Sequence, residues 1–143
     1  MMSRRFTLAA AAAVLGAAAL PAGAQTVVGV TDDSIKIGNI MPYSGPASAY
    51  GQIGEAMQAY MEMINSKGGV NGRTIEFISY DDGYQPPRTV EQARRLVERD
   101  GVALLFATLG TPTTSAIHRY VNARQVPLLF VATGASKWGD PEN

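Results

Sequence analysis

Apolar positions along this chain switch between two spacings, every second residue and every third or fourth, and the switches mark out its elements. After a polar lead at residues 25–33, Ser34-Ile35-Lys36-Ile37-Gly38-Asn39-Ile40 alternates as a strand with two unlike faces does, and Met41-Pro42 ends it. A loop rich in Gly, Pro and Ser follows, then a helix from about Tyr50 whose stripe is Ile53, Met57, Tyr60, Met61 and Ile64. Lys67-Gly68-Gly69 closes that helix with a cation at its negative end and glycines for the left-handed stop. Thr74-Ile75-Glu76-Phe77-Ile78-Ser79-Tyr80 alternates again as a second strand, ending at Asp81-Asp82-Gly83.

Pro86-Pro87 opens a second helix, since a first-turn amide needs no intrahelical partner. Its inward stripe is Val90, Ala93, Leu96 and Val97, with Glu91 and Arg95, and Arg94 and Glu98, four apart on the wet face. The unbroken run Val102-Ala103-Leu104-Leu105-Phe106-Ala107 suits a strand covered on both faces. A third helix starts near Thr111-Pro112 with Ile117, Tyr120 and Val121 inward, and Leu128-Leu129-Phe130-Val131 reads as a fourth buried strand. Strands alternating with helices over short connections predict an α/β fold, a parallel sheet sandwiched by helices.

The N-terminus does not join this pattern. Met1-Met2-Ser3-Arg4-Arg5, an Ala-rich apolar stretch, and Pro21-Ala22-Gly23-Ala24 have the layout of a secretory signal cleaved after Ala24. Residues 1–24 are therefore expected to be a signal peptide and residues 25–143 the folded part. Ser3-Arg4-Arg5 hints at twin-arginine export, while Thr7 stands where such signals usually have Phe, so the ordinary secretory route stays open. The chain balances 12 Lys+Arg against 12 Asp+Glu. Removing Arg4 and Arg5 leaves the remainder mildly acidic, which gives nucleic acid no long-range attraction, so no nucleic-acid partner is expected. With no cysteine there is no disulfide, thiolate nucleophile or Cys-type metal site.

In an open α/β sheet, ligands meet the carboxyl ends of the strands. The segments on that edge are residues 43–50, 81–85, 108–114 and 132–136, which carry hydroxyls, glycines and aromatic rings but no histidine. There is no Gly-x-Ser-x-Gly elbow and no phosphate loop, and His118 falls inside a helix as a solvated residue. Gly45, Gly51 and Gly54 lack the spacing of a dinucleotide fingerprint. Asp81-Asp82 has the residue type of a Mg²⁺ site, but the pair fits turn chemistry before a proline-opened helix better. No catalytic residue, metal or cofactor is expected, and the chain is not read as an enzyme.

Several of these segments resemble a known family. Ile37-Gly38-Asn39-Ile40-Met41-Pro42-Tyr43-Ser44-Gly45-Pro46 through Tyr50-Gly51, the N-x-x-G-G-V-x-G pattern at residues 65–72, Tyr80-Asp81-Asp82, and Gly110-Thr111-Pro112-Thr113 are similar to the first lobe of branched-chain amino-acid-type periplasmic binding proteins. The resemblance implies the first lobe of a type I periplasmic binding protein fold, in truncated form, and an extracytoplasmic solute-binding component of an ABC importer that works with a membrane permease. It implies an amino acid or similar small carboxylate as ligand, held in a cleft between two lobes. Tyr50 then corresponds to an aromatic wall of the pocket. Gly110, Thr111 and Thr113, with Gly134, Ala135 and Ser136, correspond to a clamp for the ligand's carboxylate. The second lobe has no counterpart here, so the chain is expected to be a fragment or a truncated product. The alternatives are a ligand-sensing receptor or regulator module with the same lobe, and a Rossmann-like or flavodoxin-like enzyme domain.

Overall fold

The computed structural model describes residues 27–139, so the expected signal segment lies outside the described residues. The alternating run becomes β1 (Ser34–Met41) and pairs in parallel along its whole length with β2 (Thr74–Asp81), from Ser34 opposite Thr74 to Met41 opposite Asp81. On its other side β1 pairs with β3 (Leu104–Phe106), which pairs with β4 (Leu128–Leu129). The order β2-β1-β3-β4 is parallel throughout, as the alternation of strands and helices predicts. Winding reverses direction between β1 and β3, and a sheet of this kind opens a crevice at that switch point.

One face of the sheet packs on α2 (Pro86–Arg94) and α3 (Thr111–Ala123), through a core of Ile40, Ala93, Leu96, Val102, Leu105, Ile117 and Val121. The opposite face takes α1 (Gly51–Ser66). Polar alternation in β1 does not leave its end wet, because Gly38, Asn39, Ile40 and Met41 are all buried. Asn39 survives burial by satisfying its amide fully. Its Nδ2 donates to Phe106 O at 2.8 Å, and its Oδ1 accepts from Ser79 Oγ at 2.7 Å. Ser79 Oγ also bonds Tyr43 OH at 2.6 Å, so one polar chain ties β3, β1, β2 and the first loop.

The glycines that opened a dinucleotide reading have a steric role. A Cβ on Gly54 would lie 2.1 Å from Tyr43 OH, so the helix approaches the sheet only because this position has no side chain.

Five expectations are corrected by the structure. The α1 stripe is only partly covered, with Met57, Met61 and Ile64 half-buried while Ile53 and Tyr60 are exposed. The second helix widens into a π-type segment over Arg95–Asp100, and the rotation removes the expected surface pairs. Arg95 instead stacks over Tyr80 at 4.1 Å from the ring centroid, and Glu98 accepts from Arg124 at 2.8 Å. Strands three and four are shorter than their apolar runs, because Ala107 (φ 52°) and Phe130 (φ 55°) turn the chain out of the sheet. β4 is also not buried on both faces, since Leu129 is exposed and Phe130 is 77% exposed. His118, finally, is half-buried rather than solvated and meets the Trp138 ring edge-on at 5.2 Å.

Candidate functional site

At the carboxyl ends of the strands, the sequence places two adjacent acids, and both are turned inward to hold loops. Asp81 Oδ1 accepts from the amides of Tyr43 (2.9 Å), Ser44 (3.0 Å) and Gly83 (2.9 Å). Its Oδ2 accepts from Ser44 Oγ at 2.5 Å and Arg88 Nη2 at 3.2 Å. Burial alone would raise this carboxyl's pKa; the hydrogen bonds from the Ser44 hydroxyl and from the Gly83, Ser44 and Tyr43 amides outweigh it and hold the pKa below the ordinary value. Asp82 is 1% exposed, its Oδ1 accepting from Tyr84 N at 2.8 Å and its Oδ2 from Thr89 Oγ1 at 2.7 Å. The pair thus serves as turn chemistry, and among the described residues no acid and histidine cluster suits a metal.

The segments after β3 and β4 are stitched together. Leu109 bridges Ala132 in parallel fashion, with Gly110 N donating to Ala132 O at 3.0 Å and Ala132 N to Thr108 O at 2.9 Å. Beside them, Thr111 Oγ1 and Thr133 Oγ1 lie 2.6 Å apart. Two hydroxyls in such contact share one proton between them, which leaves the second proton free to point at another acceptor. Pro at the second position of α3 and the aligned peptides behind it add a positive helix end at this spot.

Between these segments and the loop after β1 opens a cavity of about 490 Å³. Of the residues named from the sequence, Tyr50, Gly110, Thr111 and Gly134 line it, together with Pro46, Ala47, Ile53, Tyr84, Leu109, Ala132 and Thr133. Among the described residues, no charged side chain lines it. A wider hollow of about 710 Å³ lies along α1 and β2, away from the switch point of the sheet. Thr113 is not brought to the smaller cavity: it is buried, and its hydroxyl donates to Leu109 O and Gly110 O. Ala135 and Ser136 also stand outside the lining, Ser136 as the exposed start of a short 3-10 turn over Ser136–Gly139. The Gly110 amide is already engaged by Ala132, so Gly110 contributes shape rather than a donor.

The sequence reading missed Tyr84 and Thr133. Both lie on segments at the carboxyl edge of the sheet, and that position was the available signal. Thr133 stands in the same hydroxyl- and glycine-bearing segment as Gly134, and Tyr84 directly follows the turn Asp81-Asp82-Gly83.

A family profile for periplasmic binding proteins matches residues 34–143. Leu/Ile/Val-binding protein homolog 7 of Brucella suis biovar 1 is 31% identical over 127 residues, which cover 88% of this chain and 31% of that protein. The leucine-, isoleucine-, valine-, threonine-, and alanine-binding protein of Pseudomonas aeruginosa is 38% identical over 84 residues, 57% of this chain and 22% of that one. Among solved structures, a possible leucine/isoleucine/valine-binding protein from Rhodopirellula baltica superposes with a TM-score of 0.71 at 28% identity, covering 77% of this chain and 30% of that one. The chain therefore spans less than a third of the length of these relatives.

Proposed function

Because the chain belongs to the periplasmic binding protein family, whose members bind solutes and are not enzymes, we propose that it forms the ligand-receiving lobe of the solute-binding component of an ABC importer. The solute is an amino acid or similar small carboxylate, and delivery is to a membrane permease. Export by a signal peptide cleaved after Ala24 belongs to the same reading, as does the division into residues 1–24 and 25–143.

The observation that carries the proposal is the cavity at the switch point of the sheet, walled by Tyr50 and floored by the Thr111 and Thr133 hydroxyls. A carboxylate placed there meets a hydroxyl proton and the positive end of α3 without a countercharge, and hydrogen bonds to a charged acceptor are stronger than neutral ones. Among the described residues, the lining offers no acid for an ammonium group, so that recognition is assigned to a facing lobe, for which the relatives are long enough. Tyr50 supplies apolar area for the ligand's body. Thr113 and Ser136 stay outside this assignment, the first because its hydroxyl is used inside α3 and the second because it faces solvent.

Titration calorimetry with amino acids and small carboxylates tests the reading. A bound solute is expected to raise the melting temperature through mass action. Thr111→Ala is expected to weaken binding by about 1.5–3 kcal/mol, the range for a hydrogen bond to a charged group. If no such solute binds, or if Thr111→Ala and Tyr50→Ala both leave affinity unchanged, the assignment fails.

A further inference from the structure

Tyr84 holds a backbone conformation that an aromatic residue rarely adopts, at φ 61°. Two features fix it there. Its amide donates to the buried Asp82 carboxylate at 2.8 Å, and its ring lies against Gly110, where a Cβ would come within 2.4 Å of Tyr84 Cε2. Gly110 itself sits at φ 100°, which glycine adopts freely, and its missing side chain makes the room that the Tyr84 ring occupies at the cavity wall. Backbone strain of this kind persists where the surroundings over-determine it, and it concentrates at ligand clamps. A turn of this shape is made more cheaply by Gly or Asn, so the ring is what the position retains.

The ring's surroundings indicate a use. Tyr84 and Tyr50 line the same cavity from different loops, no hydrogen bond is made by either phenol among the described residues, and Ile53 and Pro46 complete an apolar lining without charge. Flat, rigid ring faces bind flat ligands with little loss of side-chain freedom and gain by offset or edge contact with an aromatic partner. The geometry points to Tyr84 as a specificity-determining contact residue that selects a carboxylate with a planar ring, of the benzoate class, over one with a branched aliphatic chain. This rests on the solute-binding reading above and narrows its ligand class.

Titration calorimetry on the chain with 4-hydroxybenzoate, benzoate and leucine tests it. Binding of the two aromatic acids is expected at least tenfold tighter than that of leucine. Tyr84→Leu should erase at least tenfold of that preference. Tyr84→Gly separates a contact role from a packing role, because glycine relieves the positive φ. It is expected to keep or raise the melting temperature while losing the aromatic acids tenfold or more, whereas a ring needed only for packing would lower the melting temperature and leave the preference between ligands intact. Leucine binding as tight as benzoate, or an aromatic preference untouched in Tyr84→Leu, overturns the inference and leaves solute binding standing. Absence of binding by all three probes overturns the inference, and absence across the wider solute panel overturns the solute-binding reading as well.

Discussion

Asp81 accepts hydrogen bonds from three amides, one hydroxyl and one guanidinium, and so joins the loop after β1 to the end of β2. Its folded pKa lies below the ordinary value, and the direction fixes the pH dependence. A carboxylate depressed on folding stabilises the fold above its unfolded pKa of about 3.9, and that stabilisation is lost as pH falls through the folded pKa. Asp81→Asn is therefore expected to cost about 1–3 kcal/mol at pH 7, with the gap from the parent chain closing below about pH 4. Asp100, whose carboxyl is also lowered, by Arg99 and Tyr80 against its burial, titrates in both proteins and cancels in the difference. Circular-dichroism melts from pH 2 to 7 measure this, and a gap constant across the range would show that the Asp81 charge is not what matters.

At the scale of elements, the docking of α1 depends on one absent side chain. Gly54→Ala would place a methyl 2.1 Å from Tyr43 OH and 2.9 Å from Cε1, too close for a small shift to relieve. The expected loss is about 1–3 kcal/mol. In a Tyr43→Ala background the same substitution should be nearly neutral, and urea denaturation of the four proteins gives the coupling. Equal costs in both backgrounds would mean that the clash is absorbed elsewhere. Which elements exist was readable from periodicity and from the proline that opens a helix: Pro86 starts α2, and β1 and β2 match their alternating runs to within a residue. The failures share a cause. Ala107 and Phe130 break their strands with a conformation that nothing in an apolar run signals, and the π turn after Arg94 has no counterpart in the spacing of apolar residues.

Across the whole molecule, burial is uneven. The face of β3 and β4 away from the core ends in Leu129 and Phe130, whose ring sits 5.4 Å from Phe106, and Tyr60 and Ile53 are exposed on α1. Exposed aromatic surface of this kind promotes self-association. The parent chain is expected to show concentration-dependent association in sedimentation velocity that Phe130→Ser lowers, with stability changed by less than about 0.5 kcal/mol, as surface substitutions do; no association in the parent, or association unchanged in the variant, would overturn this. The candidate site was legible in part for the same reason of scale. Tyr50, Thr111, Thr133 and Gly134 lie in segments marked by their residue types, whereas Tyr84 reaches the cavity only through the fold that gathers four separate loops. The bridge between Leu109 and Ala132 has one more consequence. It joins the two loops into a single preset jaw, so on the proposed reading a solute held there would meet two loops that need no further ordering against each other.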